Sequence, residues 1–140
     1  MQTKTKVETR ARSRALQALY AWEMRGGPAL DYVASQVWDD LAVPPEERRL
    51  AGLLLREVRD DGELIDADLG EVTRNWRLER LGAIERAVLR LGAAELRIGD
   101  TPPRVVIKEG VRLAERFGSV ASAKFVNGVL DALARRMGRL

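Results

Sequence analysis

The residues best suited to chemistry lie near the start of the chain, where Arg10, Arg14 and Gln17 recur at steps of three or four beside Tyr20. At about 100° per residue a helix gathers them, with Ser13, on one side. Ala11, Ala15, Leu16, Ala18, Leu19 and Trp22 fall on the other. Guanidinium groups pair bidentately with phosphates, and a ring or a guanidinium plane stacks on an unpaired base. Lys4 and Lys6, placed ahead of the helix, would add phosphate contacts. Arg12 points nearer the apolar arc but belongs to the same basic cluster. Lys4, Lys6, Arg10, Arg12, Arg14, Gln17 and Tyr20 thus form a candidate site for single-stranded RNA. The same residues can also be read as a solvated basic face with Tyr20 partly in the core.

Charge distribution sharpens this reading. The net charge over 140 residues is only +3, yet the first fourteen carry five cations against Glu8 alone. A basic arm over residues 1–7, expected to be flexible, on a nearly neutral body points toward a polyanion. Other chemistries lose their parts. The chain has no cysteine and no histidine, which removes disulfides, Cys/His zinc sites, thiol nucleophiles and imidazole bases. Neither a G-x-x-x-x-G-K-[ST] nor a G-x-G-x-x-G motif occurs. Asp39-Asp40 and Asp60-Asp61 lie at expected helix ends and read as solvated turn or cap residues. Asp66, Asp68 and Glu71 lack a calcium-loop pattern and read as an exposed helix face. No catalytic residue, metal or cofactor is expected. No apolar run approaches the roughly 20 residues that cross a bilayer, and the N-terminus lacks a signal-peptide core, so a cytoplasmic location is expected.

The elements that position these residues read as helices. Apolar periodicity from Glu8 to Arg25 stops at Gly26-Gly27-Pro28. A second helix spans about Leu30 to Leu41, with Trp38 in its apolar stripe. A third starts at Pro45, after Pro44, with Leu50, Leu53, Leu54 and Val58 on a common face. Asp60-Asp61-Gly62 reads as a break or kink before a fourth run toward Asn75. The fifth covers about Leu81 to Ile98, and Gly99 to Pro103 ends it. The sixth runs to Phe117 with Gly118 as its cap; Val105-Val106-Ile107 alone could form a strand but has no partner. The seventh, capped by Ser119 or Ser122, reaches Met137. Phe125, Val129 and Leu133 form its core stripe, Gly128 would permit a close helix approach, and Asn127 could bond a neighbouring backbone. Trp38 and Trp76 read as core residues.

Three segments together resemble the NusB family: Arg14 through Trp22; Asn75 through Leu81 with Ile84 through Leu91 and Glu95-Leu96; and Val106 through Glu109 with Leu113-Ala114, Phe117-Gly118 and Lys124 through Asp131. The resemblance spans essentially the whole chain. It implies a single all-α domain over residues 1–140, a NusB-like fold of about seven helices in two small halves. The implied role is transcription antitermination in ribosomal RNA operons, with the small-subunit ribosomal protein NusE as partner, boxA-type RNA as ligand and RNA polymerase in the larger complex. It adds Lys124 as a basic contact to the RNA candidates, and Trp22 and Glu85 as candidates to meet NusE. Departures fall at Lys108 and Gly110, where the family often has Asn and Ala, and at Ala121, where it often has Asp. Two alternatives stay open. NusB-like domains also precede the catalytic part of certain ribosomal RNA cytosine methyltransferases, although neither a cofactor-binding sheet nor a catalytic cysteine is present here. A structural homodimer would make the basic face incidental.

Overall fold

The computed structural model describes residues 4–73 and 81–140, with side chains from Lys6 onward; the Lys4 side chain and Asn75, Trp76 and their neighbours lie outside the described residues. Six helices follow one another: α1 (Lys4–Arg25), α2 (Leu30–Asp40), α3 (Pro45–Val72), α4 (Ala83–Ile98), α5 (Pro103–Phe117) and α6 (Val120–Arg136). The first three pack as one group and the last three as another. Contacts of α1 and α3 with α4 join the groups over a shared core.

Local signals set most of the boundaries. Pro45 and Pro103 occupy first-turn positions, where a missing N–H costs nothing. Gly99, at φ 84°, closes α4 in the left-handed region that glycine tolerates. The Ser119 hydroxyl accepts the Ser122 N–H and opens α6, which settles the choice between the two serines. Val105, Val106 and Ile107 lie within α5, so the strand alternative falls.

Three expectations are corrected. Among the described residues six helices stand where about seven were expected: the kink read at Asp60-Asp61-Gly62 is present at Asp61 (φ −115°, ψ 23°), but α3 continues through it to Val72. Arg97 of α4 holds the kink from outside, reaching Glu57, Asp61 and Asp68 at 3.1, 3.6 and 3.6 Å. The α1 helix begins at Lys4, so residues 4–7 continue it instead of forming an arm. Of the face expected on α3, Leu54 and Val58 are buried and Leu50 packs against the core, but Leu53 is 44% exposed and Ala51 and Leu55 are buried in its place. With three or more leucines in a row, periodicity alone leaves the phase open.

The Glu57 carboxyl is held above the ordinary glutamate range by burial and by a hydrogen bond with Asp61, against the opposing pull of Arg97. A raised folded-state pKa favours the protonated form. Its stabilisation is therefore present below the ordinary glutamate range and is lost as pH rises through the folded value. Glu57→Gln is expected to flatten that part of the stability profile. Thermal melts across mildly acidic pH test this, and an unchanged profile would remove Glu57 from the pH response.

The second helical group closes on Leu130, which is fully buried. Gly92 of α4 and Gly110 of α5 both face it: a Cβ at Gly92 would stand 2.8 Å from Leu130 Cδ2, and one at Gly110 2.7 Å from Cδ1. The close approach expected at Gly128 occurs at these glycines instead, since a Cβ at Gly128 would meet nothing within 4 Å. Phe125 is half-buried against the core while Val126, Val129, Leu130 and Leu133 are fully inside.

Candidate functional site: a basic strip on the first helix

The apolar arc of α1 is seated as its spacing requires: Ala11, Ala15, Leu16, Ala18 and Leu19 are essentially inaccessible. Lys6, Arg10, Arg14, Gln17 and Tyr20 remain on the outer side, partly or largely exposed. Tyr20 retains 39% of its surface, so its ring stands at the edge of the core.

One residue that sequence reasoning passes over organises this strip. Glu47, in the first turn of α3, is only 3% exposed. Its Oε2 accepts from Arg10 Nε at 2.7 Å and its Oε1 from Arg14 Nε at 3.1 Å. Arg14 Nη1 reaches on to the Gln17 carbonyl oxygen at 3.3 Å. A carboxylate so placed also sits favourably near the N-terminal end of the helix dipole. Charge-assisted bonds through Nε hold each guanidinium plane while Arg10 and Arg14 keep 36% and 26% of their side-chain surface. Two cations and an amide are thereby held in a row, one helical turn between neighbours, and the exposed Tyr20 ring comes next along the helix. The only sequence signal for Glu47 is its place just after Pro44-Pro45, which a first-turn acid explains equally well.

Arg12 does not belong to the strip. It is 4% exposed and turns inward, where Nε and Nη2 donate to the two oxygens of Glu95 at 2.9 and 2.6 Å and Nη1 donates to Glu109 at 3.2 Å. Thr101 and Thr9 hydroxyls donate to the same two carboxylates at 2.7 and 2.5 Å. Burial disfavours the Arg12 charge, but the hydrogen bond and attraction of Glu95, with the attraction of Glu109 and Glu8, hold its pKa above the ordinary arginine value. The RNA assignment of Arg12 is thus corrected: its proximity to the apolar arc placed it in a buried ion cluster that ties α1 to α4 and α5. Ser13, also expected outside, is buried.

The remaining candidates lie elsewhere. Trp22 is half-buried against the core and its Nε1 donates to the Pro28 carbonyl at 3.0 Å, securing the turn after α1. Trp38 is buried as expected, its Nε1 donating to the Arg14 carbonyl at 3.0 Å, so it braces the strip from behind. Glu85 accepts from the Ser122 hydroxyl at 2.7 Å and borders an open groove of about 450 Å³ lined by Leu81, Gly82, Ser119, Ala121 and Phe125. Lys124 is exposed on α6, a helix that packs on α3, α4 and α5 rather than on α1. The structure therefore brings together Arg10, Arg14 and Gln17, with Tyr20 continuing the row, and sets Glu85 and Lys124 apart from them. Among the described residues no helix is long and apolar enough to cross a membrane.

The NusB family description matches residues 9–135. The transcription antitermination protein NusB of Sorangium cellulosum is 42% identical over 130 residues, covering 92% of each chain. That of Anaeromyxobacter dehalogenans strain 2CP-1 is 41% identical over 133 residues, covering 93% of this chain and 92% of the relative. Among solved structures, T. maritima NusB superposes with a TM-score of 0.86 at 31% identity, over 96% of this chain and 93% of the other. A crystal structure of antitermination factors NusB and NusE in complex with dsRNA superposes with a TM-score of 0.86 at 28% identity, over 94% and 98%. Fold, motif order and near-complete coverage agree, and the chain belongs to the NusB family.

Proposed function

We propose that this protein is a transcription antitermination factor without catalytic activity. It holds boxA-type single-stranded RNA together with NusE and supports processive transcription of ribosomal RNA operons by RNA polymerase. The observation that carries the RNA reading is the pairing of Arg10 and Arg14 on the buried Glu47 carboxylate, in line with Gln17 and Tyr20. Preset guanidinium planes lose less freedom on meeting phosphates, and a ring at the end of the row offers a stacking face. Lys6 extends the row toward the helix start, with Lys4 preceding it in sequence. On this reading the Glu85 groove, with Trp22, is the surface offered to NusE. Lys124 supplies an outlying contact for RNA that leaves the strip. A homodimer would serve as a resting state that masks these surfaces.

Fluorescence anisotropy with labelled boxA-like and scrambled RNA, with and without NusE at fixed salt, tests the proposal. The wild type should prefer boxA-like RNA and bind it more tightly with NusE. Arg10→Gln with Arg14→Gln should weaken binding roughly 10- to 100-fold and lower the salt slope by about 1 to 1.5, as expected for two lost phosphate contacts. The pair is best made in a Glu47→Gln background, which avoids stranding a buried carboxylate. Equal affinity for both RNAs would overturn the boxA preference, and a slope the double variant leaves unchanged would take α1 out of the RNA site.

A further inference from the structure

The outer face of α5 carries four cations at a constant step, Arg104, Lys108, Arg112 and Arg116, each partly or fully exposed. Four residues advance a helix by about 6 Å and turn it by about 40°. The four heads therefore climb about 18 Å while winding a third of the way round the helix. Neutralisation on this helix is slight. Glu109 is buried with Arg12, leaving Glu115 as the exposed acid of α5. Arg112 approaches Glu109 only at 3.6 Å. Arg116 is stacked over the Phe117 ring at 4.9 Å, which orients its guanidinium plane.

The ridge adjoins the strip on α1. Glu109 Oε1 accepts the Thr9 hydroxyl, one residue before Arg10, while its Oε2 faces Arg112. A single buried carboxylate thus marks where the start of α1 and the middle of α5 meet. At the other end, Arg104 and Lys108 border a shallow groove of about 310 Å³ between α5 and α6, across from the exposed Asn127 and from Asp131, whose charge is taken up by Arg135 at 2.9 Å.

We propose that the α5 ridge is a second phosphate track, along which RNA bound at α1 continues across the molecule. This rests on the RNA reading of α1 and extends it. A winding row of evenly spaced cations suits a polyphosphate chain. A protein partner would instead need apolar anchors at the centre of its footprint, and the large hydrophobic residue that α5 exposes on its surface is Val105, at 39%.

The test uses the full chain and two RNAs, a boxA-like oligonucleotide and the same sequence extended by about six nucleotides at either end. For the wild type, one extension should tighten binding roughly 10-fold and steepen the salt dependence. The triple variant Arg104→Gln, Lys108→Gln, Arg112→Gln should erase that gain, lower the slope on the extended RNA by about 2, and leave the short RNA unchanged. Exchanging Arg104 and Arg112 for Lys should preserve the slope, and circular dichroism checks that each variant stays helical. Short-RNA binding that depends on Arg10 and Arg14, with no gain from either extension, overturns the track and leaves the α1 site standing. Failure of both RNAs to bind overturns both. An acidic peptide such as polyglutamate serves as a further probe: if it binds the wild type but not the triple variant, while RNA affinity is unaffected, the ridge is a protein contact and the track is overturned.

Discussion

Arg12→Ala is expected to lower the unfolding free energy by about 3–5 kcal/mol, a large share of what a domain of this size has. Two carboxylates, Glu95 and Glu109, would lose the cation that holds them; both are as buried as Arg12 itself. Their threonine hydroxyls would remain, but hydroxyls do not neutralise a buried charge. Arg12→Lys should recover only part of the loss, because an ammonium cannot donate two parallel bonds to Glu95 while reaching Glu109. Adding Glu95→Gln and Glu109→Gln to Arg12→Met removes all three charges and should restore much of the stability. Urea unfolding of these variants gives the comparison. A loss below about 1 kcal/mol for Arg12→Ala would mean that water enters and that the cluster is not buried in solution.

The same residue separates structure from recognition. Under conditions where Arg12→Lys remains folded, its RNA salt slope should match the wild type, whereas Arg10 and Arg14 variants should shift it. The alternating arginines of α1 thus divide their work: Arg12 fixes the helix to α4 and α5, and its neighbours at Arg10 and Arg14 stay at the surface on Glu47.

What is legible in the sequence follows from the range of each interaction. Gly26-Gly27-Pro28, Pro44-Pro45 and the Gly99 to Pro103 segment end helices through their own backbone preferences, so they can be read locally. The kink at Asp61 is legible in Asp60-Asp61-Gly62, but the continuation of α3 beyond it is not, because Arg97 of another helix clamps Glu57, Asp61 and Asp68 around it. Nor does Glu47 announce itself as the anchor of the α1 strip, since its partners lie 33 and 37 residues away. The helical angle of Arg12 already brings it near the apolar arc, but its role escapes a local reading because the carboxylate that lets its charge be buried, Glu95, lies 83 residues on. Glycine misleads in a similar way. Gly128 stands in the most recognisable motif, yet the glycines that admit a neighbour are Gly92 and Gly110.

That contact supports the second large effect. Leu130→Ala should cost about 2–5 kcal/mol, since it empties a fully buried site between two backbones that cannot readily collapse further. Gly110→Ala should cost about 1–3 kcal/mol by the opposite cause, a methyl placed 2.7 Å from Leu130 Cδ1. The leucine cannot swing away cheaply, because Gly92 confines Cδ2 as Gly110 confines Cδ1. The two changes should therefore compensate: the methyl added at position 110 would enter the space that truncation at position 130 vacates. The double variant should then be more stable than the sum of the single losses predicts, by about 0.5–3 kcal/mol. Strict additivity in thermal or urea unfolding would show that the side chain and the glycine are not in contact. Compensation would establish that the spacing of α5 from α6 is set at Leu130. That spacing positions the Arg104 and Lys108 side of α5 opposite Asn127, so a variant that widens it should also weaken whatever RNA contact the ridge makes, with every cation still in place.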